Sequence, residues 1–442
     1  MMVFCFVSAV LWFFPLVVEQ ALCVRSWSKV VSAHLASLKA NKVPISLAQL
    51  DEYYPHGSAA AIAASAYTNA FGNFETSKDV PVLGDDKMPA VGSPLTPTQR
   101  ERIAECLARN AQCLALLRSA VGYGSCRYPI DLQNGWEVLL PHLGKLKGCG
   151  NLLAMEAVYY ADSGDGSRAA RSLLTCLQLA GSLDDEPLAV SYLVQTALLA
   201  RACRTLEWCL SRCEFSVLDL PAIQERFRGF LSDRGHRRAL VGERCMCISI
   251  FEGPTATLQK LLNDESVGTR RGLCVYRSMG FWMRDYQYCL DLIDQLQTIH
   301  NLAPHLRLDQ IASLKKQVSA NKGRSRATDV NLISGMILPS ILGVAEKEIR
   351  RQTELRLALA ALSLKLAQPT GELPPWTTSS SDTSSVTPLF MDPFDGEPLR
   401  LLKSDTGWVI YSVGPDRSDD EGRKKEKDSS NGPYDISFEI RQ

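Results

Sequence analysis

Six histidines are the side chains of this chain best suited to general acid–base chemistry, and they lie far apart in the sequence. They are His34, His56, His142, His236, His300 and His305. None falls in an H-E-x-x-H motif, and the chain also lacks a G-x-S-x-G nucleophile elbow and a G-x-x-x-x-G-K-[ST] phosphate loop. No reaction is therefore indicated by spacing alone, and an enzyme site would have to form between distant segments.

Two places are candidates for such a site. His142 follows Pro141 in an apolar stretch, which is typical of a helix start or a core position, and a general base is the alternative there, together with Arg127. The second place is His236 with Glu243. No catalytic residue is assigned at either place, because neither has a partner at a diagnostic spacing.

Six arginines surround His236, namely Arg226, Arg228, Arg234, Arg237, Arg238 and Arg244. We predict a solvated face, or ion pairs with Glu225, Asp233 and Glu243, and a phosphate-binding patch is the alternative. No aromatic residues alternate with the arginines, and Lys plus Arg equals Asp plus Glu at 48 each. We therefore expect no nucleic-acid partner.

Fourteen cysteines are scattered along the chain, far fewer than a disulfide scaffold needs. Most stand where a helix accepts a small apolar residue, so we predict buried free thiols. Cys209 and Cys213 lie one helical turn apart, and Cys245 and Cys247 form a C-x-C. Neither pair has the second C-x-x-C or the histidines of a zinc site, and metal binding is the minor alternative there.

Residues 1–22 form a hydrophobic N-terminal segment, in which residues 2–18 carry no charge. A transmembrane helix that anchors the chain in the membrane is the first interpretation, a cleaved signal peptide is the second, and a buried segment of a soluble protein is the third. Arg25 and Lys29 follow the segment, and the positive-inside rule would place the body in the cytoplasm. The orientation thus depends on two charges.

The rest of the sequence predicts a mainly α fold, an irregular helical array of helix–turn–helix pairs followed by a small α+β C-terminal domain. Residues 30–95 predict short helices and an exposed connection, and residues 96–330 predict the array. Thr96, Pro97 and Gln99 predict a capped helix start. We expect a further helix from Trp136 through about Tyr160, because apolar residues recur there at helical spacing.

Residues 338–442 predict a long helix and a small β-rich tail. The helix carries regularly spaced leucines from residue 338 to 368. The tail contains turn signals at Asp392-Pro393 and Asp395-Gly396, because proline presets φ and glycine accepts a positive φ. Alternating residues from Val409 to Val413 predict a strand, and acidic residues follow it.

This tail resembles the C-terminal part of the major pseudopilin of type II secretion. The matching segments are Asp392-Pro393-Phe394-Asp395-Gly396-Glu397-Pro398-Leu399, then Val409-Ile410-Tyr411-Ser412-Val413-Gly414-Pro415-Asp416, then Asp435-Ile436. The resemblance implies a pseudopilin-like domain in which a long helix precedes a short sheet. It covers only the C-terminal part, since the hydrophobic segment lies before the helical body.

The whole chain also resembles a group of uncharacterised proteins of planctomycete-type bacteria, with a hydrophobic N-terminal segment, a Leu/Ala-rich helical body and the same tail. The matching body pieces are Cys126-Arg127-Tyr128-Pro129, Leu140-Pro141-His142-Leu143, Glu186-Pro187-Leu188 and Gly242-Glu243-Arg244. The group brings no activity with it.

The pseudopilin resemblance implies a calcium ion in the acidic loop. The matching positions are Asp416 and Asp435, with the carbonyl oxygen of Val413 as a third ligand. Asp419 and Asp420 lie in the same loop, and Ca²⁺ takes six to eight oxygen ligands. A solvated acidic loop, neutralised by the basic residues 423–425, is the alternative.

We expect a membrane-tethered envelope protein at the cell membrane, with its body outside the cytoplasm; the opposite orientation, which Arg25 and Lys29 indicate, is the alternative. Its helical array would be a non-enzymatic interaction scaffold for an unidentified protein partner, and its tail a pseudopilin-like cap. The alternative is a secreted or anchored enzyme with a site between helices, around His142, Arg127 or His236 with Glu243.

Overall fold

The computed structural model describes residues 22, 24–75, 90–120, 122, 126–263, 266–323, 331–370, 374, 388–424 and 435–441. In these ranges the chain forms fifteen α-helices and one small three-stranded sheet near the C-terminus. The prediction of a mainly α fold with a small C-terminal sheet is confirmed.

The helices and strands are numbered in chain order. The helices are α1 (24–40), α2 (Leu47–Tyr53), α3 (Ser58–Gly72), α4 (Pro97–Arg109), α5 (Ala111–Ser119), α6 (Pro141–Asp162), α7 (Gly166–Gly181), α8 (Ala189–Leu210), α9 (Asp219–Gly229), α10 (Arg234–Glu252), α11 (Thr255–Leu261), α12 (Val267–Ser278), α13 (Phe281–Ile299), α14 (Pro304–Gly323) and α15 (Ser334–Ala367). The strands are β1 (Arg400–Ser404), β2 (Gly407–Ser412) and β3 (Ile436–Arg441).

Two helix starts show how local sequence decides the boundaries. At α4 the Thr96 hydroxyl accepts a hydrogen bond from the Gln99 backbone N–H (3.2 Å), and the Gln99 side chain accepts one from the Thr96 N–H (2.9 Å), as predicted. The predicted helix start at Trp136 is wrong. A 3₁₀ turn covers Leu132–Glu137, and α6 begins at Pro141, because proline has no N–H to donate and fits only the first helical turn.

Helix α10 packs against α8. Helices α6, α7 and α8 pack against one another, α9 packs against α7 and α15, and α15 also packs against α8. One hydrophobic cluster runs through them from Ala63 on α3 to Leu364 on α15. Alanine and leucine dominate it, and small alanines let neighbouring helices approach closely. This packing positions the polar cluster around His142 on α6.

The sheet has the order β1-β2-β3 with both pairs antiparallel, so β2 is the central strand. Ile410 pairs with Phe438, and both are buried in the same hydrophobic cluster as the helices. The Glu207 carboxylate on α8 accepts hydrogen bonds from the Glu439 backbone N–H (2.8 Å) and from the Lys424 ammonium (3.0 Å). The sheet therefore packs directly on the helical body, against α8 and α15.

Asp392 fixes the turn that leads into the sheet. Its buried carboxylate accepts hydrogen bonds from the backbone N–H groups of Phe394 (2.9 Å) and Val413 (3.0 Å) and from the Ser412 hydroxyl (2.8 Å). It also pairs with Arg400 at 2.9 Å. A buried carboxylate needs several donors to offset its desolvation, and Asp392 has four.

The predicted transmembrane helix is contradicted. A span needs about 20 consecutive apolar residues, and within the described ranges no helix combines that length with that apolarity. Even the 34-residue helix α15 carries charged side chains, including Glu348 and Arg351, along its length. Residues 2–18, which suggested the span, lie outside the described part of the chain.

Candidate functional site

The first polar cluster contains His142, the second residue of α6. Its Nε2 lies 3.1 and 3.0 Å from the two carboxylate oxygens of Glu186. The Tyr54 hydroxyl donates to the same carboxylate at 3.3 Å, and the Ser191 hydroxyl donates to its other oxygen. The Tyr128 ring stacks on the imidazole with a centroid distance of 4.3 Å. All five side chains are buried. Through the hydrogen bonds of its carboxylate, Glu186 joins α6 and α8 to the end of α2.

Arg127 lies on the other side of Tyr54. Its guanidinium is 4.5 Å from the centre of the Tyr54 ring and donates to the Tyr54 carbonyl (2.7 Å) and to the Asp51 carboxylate (2.6 Å). The structure therefore brings together two of the residues that the sequence nominated, Arg127 and His142. The order of contacts is not that of a nucleophile relay, because Ser191 donates to Glu186 and not to the imidazole.

The second cluster contains a pair of buried histidines. His236 Nδ1 lies 2.7 Å from His300 Nε2, and His300 Nδ1 lies 3.4 Å from an Arg307 N–H. Since the guanidinium can only donate, His300 Nδ1 accepts, and the proton of His300 sits on Nε2 and is donated to His236. The proton of His236 is then on Nε2, which is buried and has no hydrogen-bond partner in the described part of the chain.

Burial and nearby positive charges keep both imidazoles neutral at neutral pH. Burial is the main cause that lowers the pKa of His236 well below 6.5, and the neighbouring His300 and Arg351 add to it. Burial likewise lowers the pKa of His300 to about 4. Arg307 forms an ion pair with Asp233 at 3.0 Å, and its positive charge also lowers the pKa of both imidazoles. The pair therefore behaves as a neutral hydrogen-bonded link between α10 and the end of α13.

A third group lies beside the histidines on α15. Arg351 forms a bidentate ion pair with Glu348 (2.6 and 2.7 Å) and donates to the Phe230 carbonyl. The Tyr192 hydroxyl on α8 donates to the same carboxylate. A recess of about 130 Å³ lies next to Arg351. It is lined by Asp184, Tyr192, Gln195, Gly229, Phe230, Ser232, Arg234, Gly235 and Arg351.

Glu243 lies on α10 with His236 but makes a different contact. Its carboxylate accepts a 3.4 Å hydrogen bond from the Ala189 N–H at the start of α8. Burial raises the pKa of Glu243 to about 7, and the hydrogen bond offsets only part of this effect. The neighbouring Gly242 lets α10 approach that turn, because a Cβ there would lie 1.7 Å from the Pro187 carbonyl oxygen. The predicted pairing of Glu243 with the arginine patch is not found among its described contacts.

The arginines around His236 are largely compensated by carboxylates. Arg234 and Arg238 both pair with Asp185, at 3.0 and 2.7 Å, and Arg228 pairs with Glu225 at 3.5 Å. The predicted ion pair with Glu225 is confirmed. Asp185 was missed because it lies about 50 residues before its two arginines, where sequence spacing carries no signal.

Asp435 is the most constrained residue of the acidic loop. Its Oδ2 accepts hydrogen bonds from the backbone N–H groups of Asp420 (3.1 Å) and Gly422 (2.7 Å), and its buried Oδ1 has no hydrogen-bond partner among the described residues. Burial is the main cause that raises the pKa of Asp435 to about 6; the two hydrogen bonds oppose this rise, and the negative charges of Asp420 and Asp419 add to it.

The other predicted calcium ligands are spread along the loop. The Asp419 carboxylate accepts from the Tyr411 hydroxyl (3.1 Å), and the Asp416 carboxylate accepts from the Ser418 N–H (3.3 Å). The backbone N–H of Val413 donates to the Asp392 carboxylate, and the Val413 carbonyl oxygen, which is the predicted ligand, takes no part in that hydrogen bond. Across the described residues no group of three or more His, Cys, Asp or Glu side chains is arranged to hold a metal ion. Calcium binding stays a prediction.

The described cysteines are free thiols, as predicted, and eleven of them are buried. Cys274 on α12 is exposed. Cys113 and Cys149 have sulfur atoms 3.9 Å apart, well beyond a disulfide bond of about 2.05 Å. These thiols pack between helices as small apolar side chains.

Asp285 on α13 is a structurally important residue that the sequence did not reveal. It is buried and accepts hydrogen bonds from the backbone N–H groups of Ile333 (2.8 Å) and Ser334 (3.3 Å) and from the hydroxyls of Ser334 and Tyr276. It therefore caps the start of α15 from another helix. Its partners at the start of α15 lie 48 and 49 residues away in sequence, so no local motif could identify this cap.

Comparison with protein-family models, with curated proteins and with solved structures finds no significant match.

Proposed function

We propose that the chain is a non-enzymatic helical scaffold of the cell envelope that binds a protein partner. One observation supports this proposal above the others. The side chains best suited to catalysis are buried, and their hydrogen bonds hold helices together: His142 binds Glu186, His236 binds His300, and Glu243 binds the start of α8. Such buried hydrogen bonds fix the helices relative to one another, and the fixed helices form the interaction surface.

The size of the recess beside Arg351 also supports a scaffold. Its volume of about 130 Å³ is below the roughly 300–1,000 Å³ of small-molecule sites. Arg351 itself already donates to a carboxylate, a hydroxyl and a carbonyl. A substrate would have to break these contacts before it could use the guanidinium.

The loop before α9 presents a candidate partner contact. Val217 and Leu218 are adjacent and are 82% and 84% exposed. The loop is held in place because the Asp219 carboxylate accepts hydrogen bonds from the hydroxyls of Ser216 (2.7 Å) and Ser167 (3.1 Å). A rigid apolar pair loses little conformational entropy on binding, so it is suited to insertion into an apolar pocket of a protein partner.

A photo-crosslinking amino acid at position 218 of the full-length chain, used in the native host, tests this proposal. We expect one discrete crosslinked protein, and we expect Leu218→Asp to abolish its co-purification. Leu139→Asp is the matched control, because Leu139 is 80% exposed on a different loop, and it should leave co-purification unchanged. Equal loss in both variants, or no crosslink at position 218, would contradict the proposal.

The pseudopilin-like nature of the C-terminal part also remains our proposal. It is supported by a long helix, α15, that is followed by a three-stranded antiparallel sheet packed against it. We propose that Ca²⁺ binds at the acidic loop, supported by the unpartnered Asp435 Oδ1. A ligand present at 100 times its Kd stabilises the folded state by about 2.7 kcal/mol. The melting temperature of the full chain should therefore rise with Ca²⁺ and fall with chelator, and Asp435→Asn should remove this response. An unchanged melting temperature at millimolar Ca²⁺ would refute calcium binding.

The envelope location rests on the uncharged residues 2–18, and we propose it on that ground. Protease added to intact cells and to cells with permeabilised outer layers tests it. We expect digestion of the body after outer permeabilisation alone. Digestion only after the inner membrane is also lysed would place the body in the cytoplasm.

An enzyme is the second candidate, and the Ser191–Glu186–His142 contacts favour it because they gather a hydroxyl, a carboxylate and an imidazole. A catalytic imidazole must be reachable by substrate. Diethyl pyrocarbonate labelling with peptide mapping should modify the exposed His56 and spare His142. Equally fast labelling of the two histidines would favour the enzyme.

A further inference from the structure

A cavity of about 180 Å³ lies where α5, α6 and α7 meet, away from the clusters described above. It is lined by Arg118, Tyr160, Arg168, Arg171 and Ser172. A single buried water needs roughly 10–15 Å³, so this space admits a ligand of several atoms. Three of its five lining side chains are guanidinium groups, which is a strong bias toward anions.

The floor of the cavity is rigid. Glu156 on α6 is 2% exposed, and it forms an ion pair with Arg118 and accepts a 2.7 Å hydrogen bond from the Ser172 hydroxyl. This buried carboxylate compensates the charge of Arg118. It also fixes the direction of the guanidinium, because two separate helices hold the carboxylate in place.

The arginines of the cavity carry one positive charge more than the neighbouring carboxylates compensate. Arg168 stacks over the Tyr160 ring at 5.3 Å and pairs with Asp165 at 3.2 Å. Arg171, one helical turn further along α7, forms no ion pair with any described residue. Three guanidiniums thus meet two carboxylates, Glu156 and Asp165, and the arrangement lacks one negative charge.

We propose that this cavity binds a phosphate group, a ligand class that goes beyond the scaffold function proposed above. Arginine donates in a planar fork that matches phosphate oxygens, and forks from α5 and α7 reach a tetrahedral anion from different sides. A phosphate monoester carries nearly two negative charges at neutral pH, which supplies the missing charge. The phosphate belongs to a small soluble molecule or to a lipid headgroup, since both present the same oxygens.

Calorimetry of the full-length chain with inorganic phosphate tests the site. Arg171→Gln should weaken binding by about tenfold or more, since a charge-assisted contact is lost. Arg228→Gln is the matched control, because Arg228 is also an exposed arginine on a helix, and it should leave the affinity unchanged. Because Arg171 has no described ion pair, the melting temperature of Arg171→Gln without phosphate should equal that of the wild type.

Co-sedimentation with vesicles identifies the source of the phosphate. Vesicles of phosphatidylcholine with and without phosphatidic acid are compared for the wild type and for Arg171→Gln. Sedimentation that requires both phosphatidic acid and Arg171 assigns a lipid headgroup, and binding of free phosphate without sedimentation assigns a soluble ligand. Absence of binding in both assays, or equal binding by the two arginine variants, would overturn the proposal.

Discussion

Glu243 should make the stability of the protein fall as the pH rises. Its carboxyl is buried on α10, and burial raises its pKa from 4.5 to about 7. In the unfolded chain the group loses its proton near pH 4.5, whereas in the folded chain it keeps the proton to about pH 7. The folded state therefore binds more protons between these values, and stability decreases across that pH range.

The size of the effect follows from the two pKa values. A pKa difference of one corresponds to about 1.4 kcal/mol, so the ionised Glu243 destabilises the folded chain by about 3 kcal/mol above pH 7. Unfolding entropy is about 2.1 cal/mol/K per residue, or about 0.9 kcal/mol/K for 442 residues. The loss corresponds to about 3 °C in melting temperature.

Glu243→Gln isolates this effect, because the glutamine amide oxygen still accepts the Ala189 hydrogen bond but does not ionise. At pH 8 the variant should melt about 3 °C above the wild type, and at pH 4.5 the two should coincide. Glu225→Gln changes an exposed carboxylate and serves as the control, with no such pH dependence expected. A Glu243→Gln difference that is the same at pH 4.5 and pH 8 would refute the reasoning.

Three further changes test the packing. Gly242→Ala places a methyl group where a backbone oxygen already lies and should destabilise the chain by several kcal/mol in thermal melts. Gly144→Ala, with open space around the new methyl group, should stabilise the chain by up to about 1 kcal/mol. Equal effects of the two substitutions would contradict the close approach of α10. Asp285→Ala leaves the first turn of α15 uncapped and should lower stability by about 2 kcal/mol or more, with faster amide exchange in that turn as the diagnostic. Because the pKa of His300 falls from 6.5 to about 4 on folding, His300 contributes about 3 kcal/mol of stability that is lost as the pH falls through that range, opposite in sign to the Glu243 effect. The stability of His300→Gln relative to the wild type should therefore rise by about 3 kcal/mol between pH 7 and pH 4 in thermal melts, and a difference that does not change with pH would exclude this role of His300.

Features set by neighbouring residues could be predicted from the sequence. The Thr96–Gln99 capping box is complete within four residues, and the helix that it begins is α4. The strand predicted from Val409 to Val413 is largely β2. Its expected alternation of buried and exposed residues is not seen at its end, because β2 is the central strand and packs on the helices.

Features that join distant segments could not be predicted. His142 was a candidate from its type alone, but its partner Glu186 lies 44 residues away. The cavity between α5, α6 and α7 joins Arg118 to Arg171 from different helices. Such pairings are decided by helix packing, which periodicity does not specify. The helices could therefore be predicted from the sequence, whereas the polar sites depend on how the helices pack.

The contact between Glu207 and Glu439 has a consequence for the order of folding. The two residues are 232 positions apart, and closing a loop of that length costs about 5 kcal/mol of chain entropy. Helices α6, α7 and α8, joined by short turns, form their contacts with far smaller loops. We expect the helical body to assemble first and the sheet to dock in a slower kinetic phase. Until then the apolar faces of α8 and α15 stay uncovered, and this intermediate is the species most prone to aggregate during refolding.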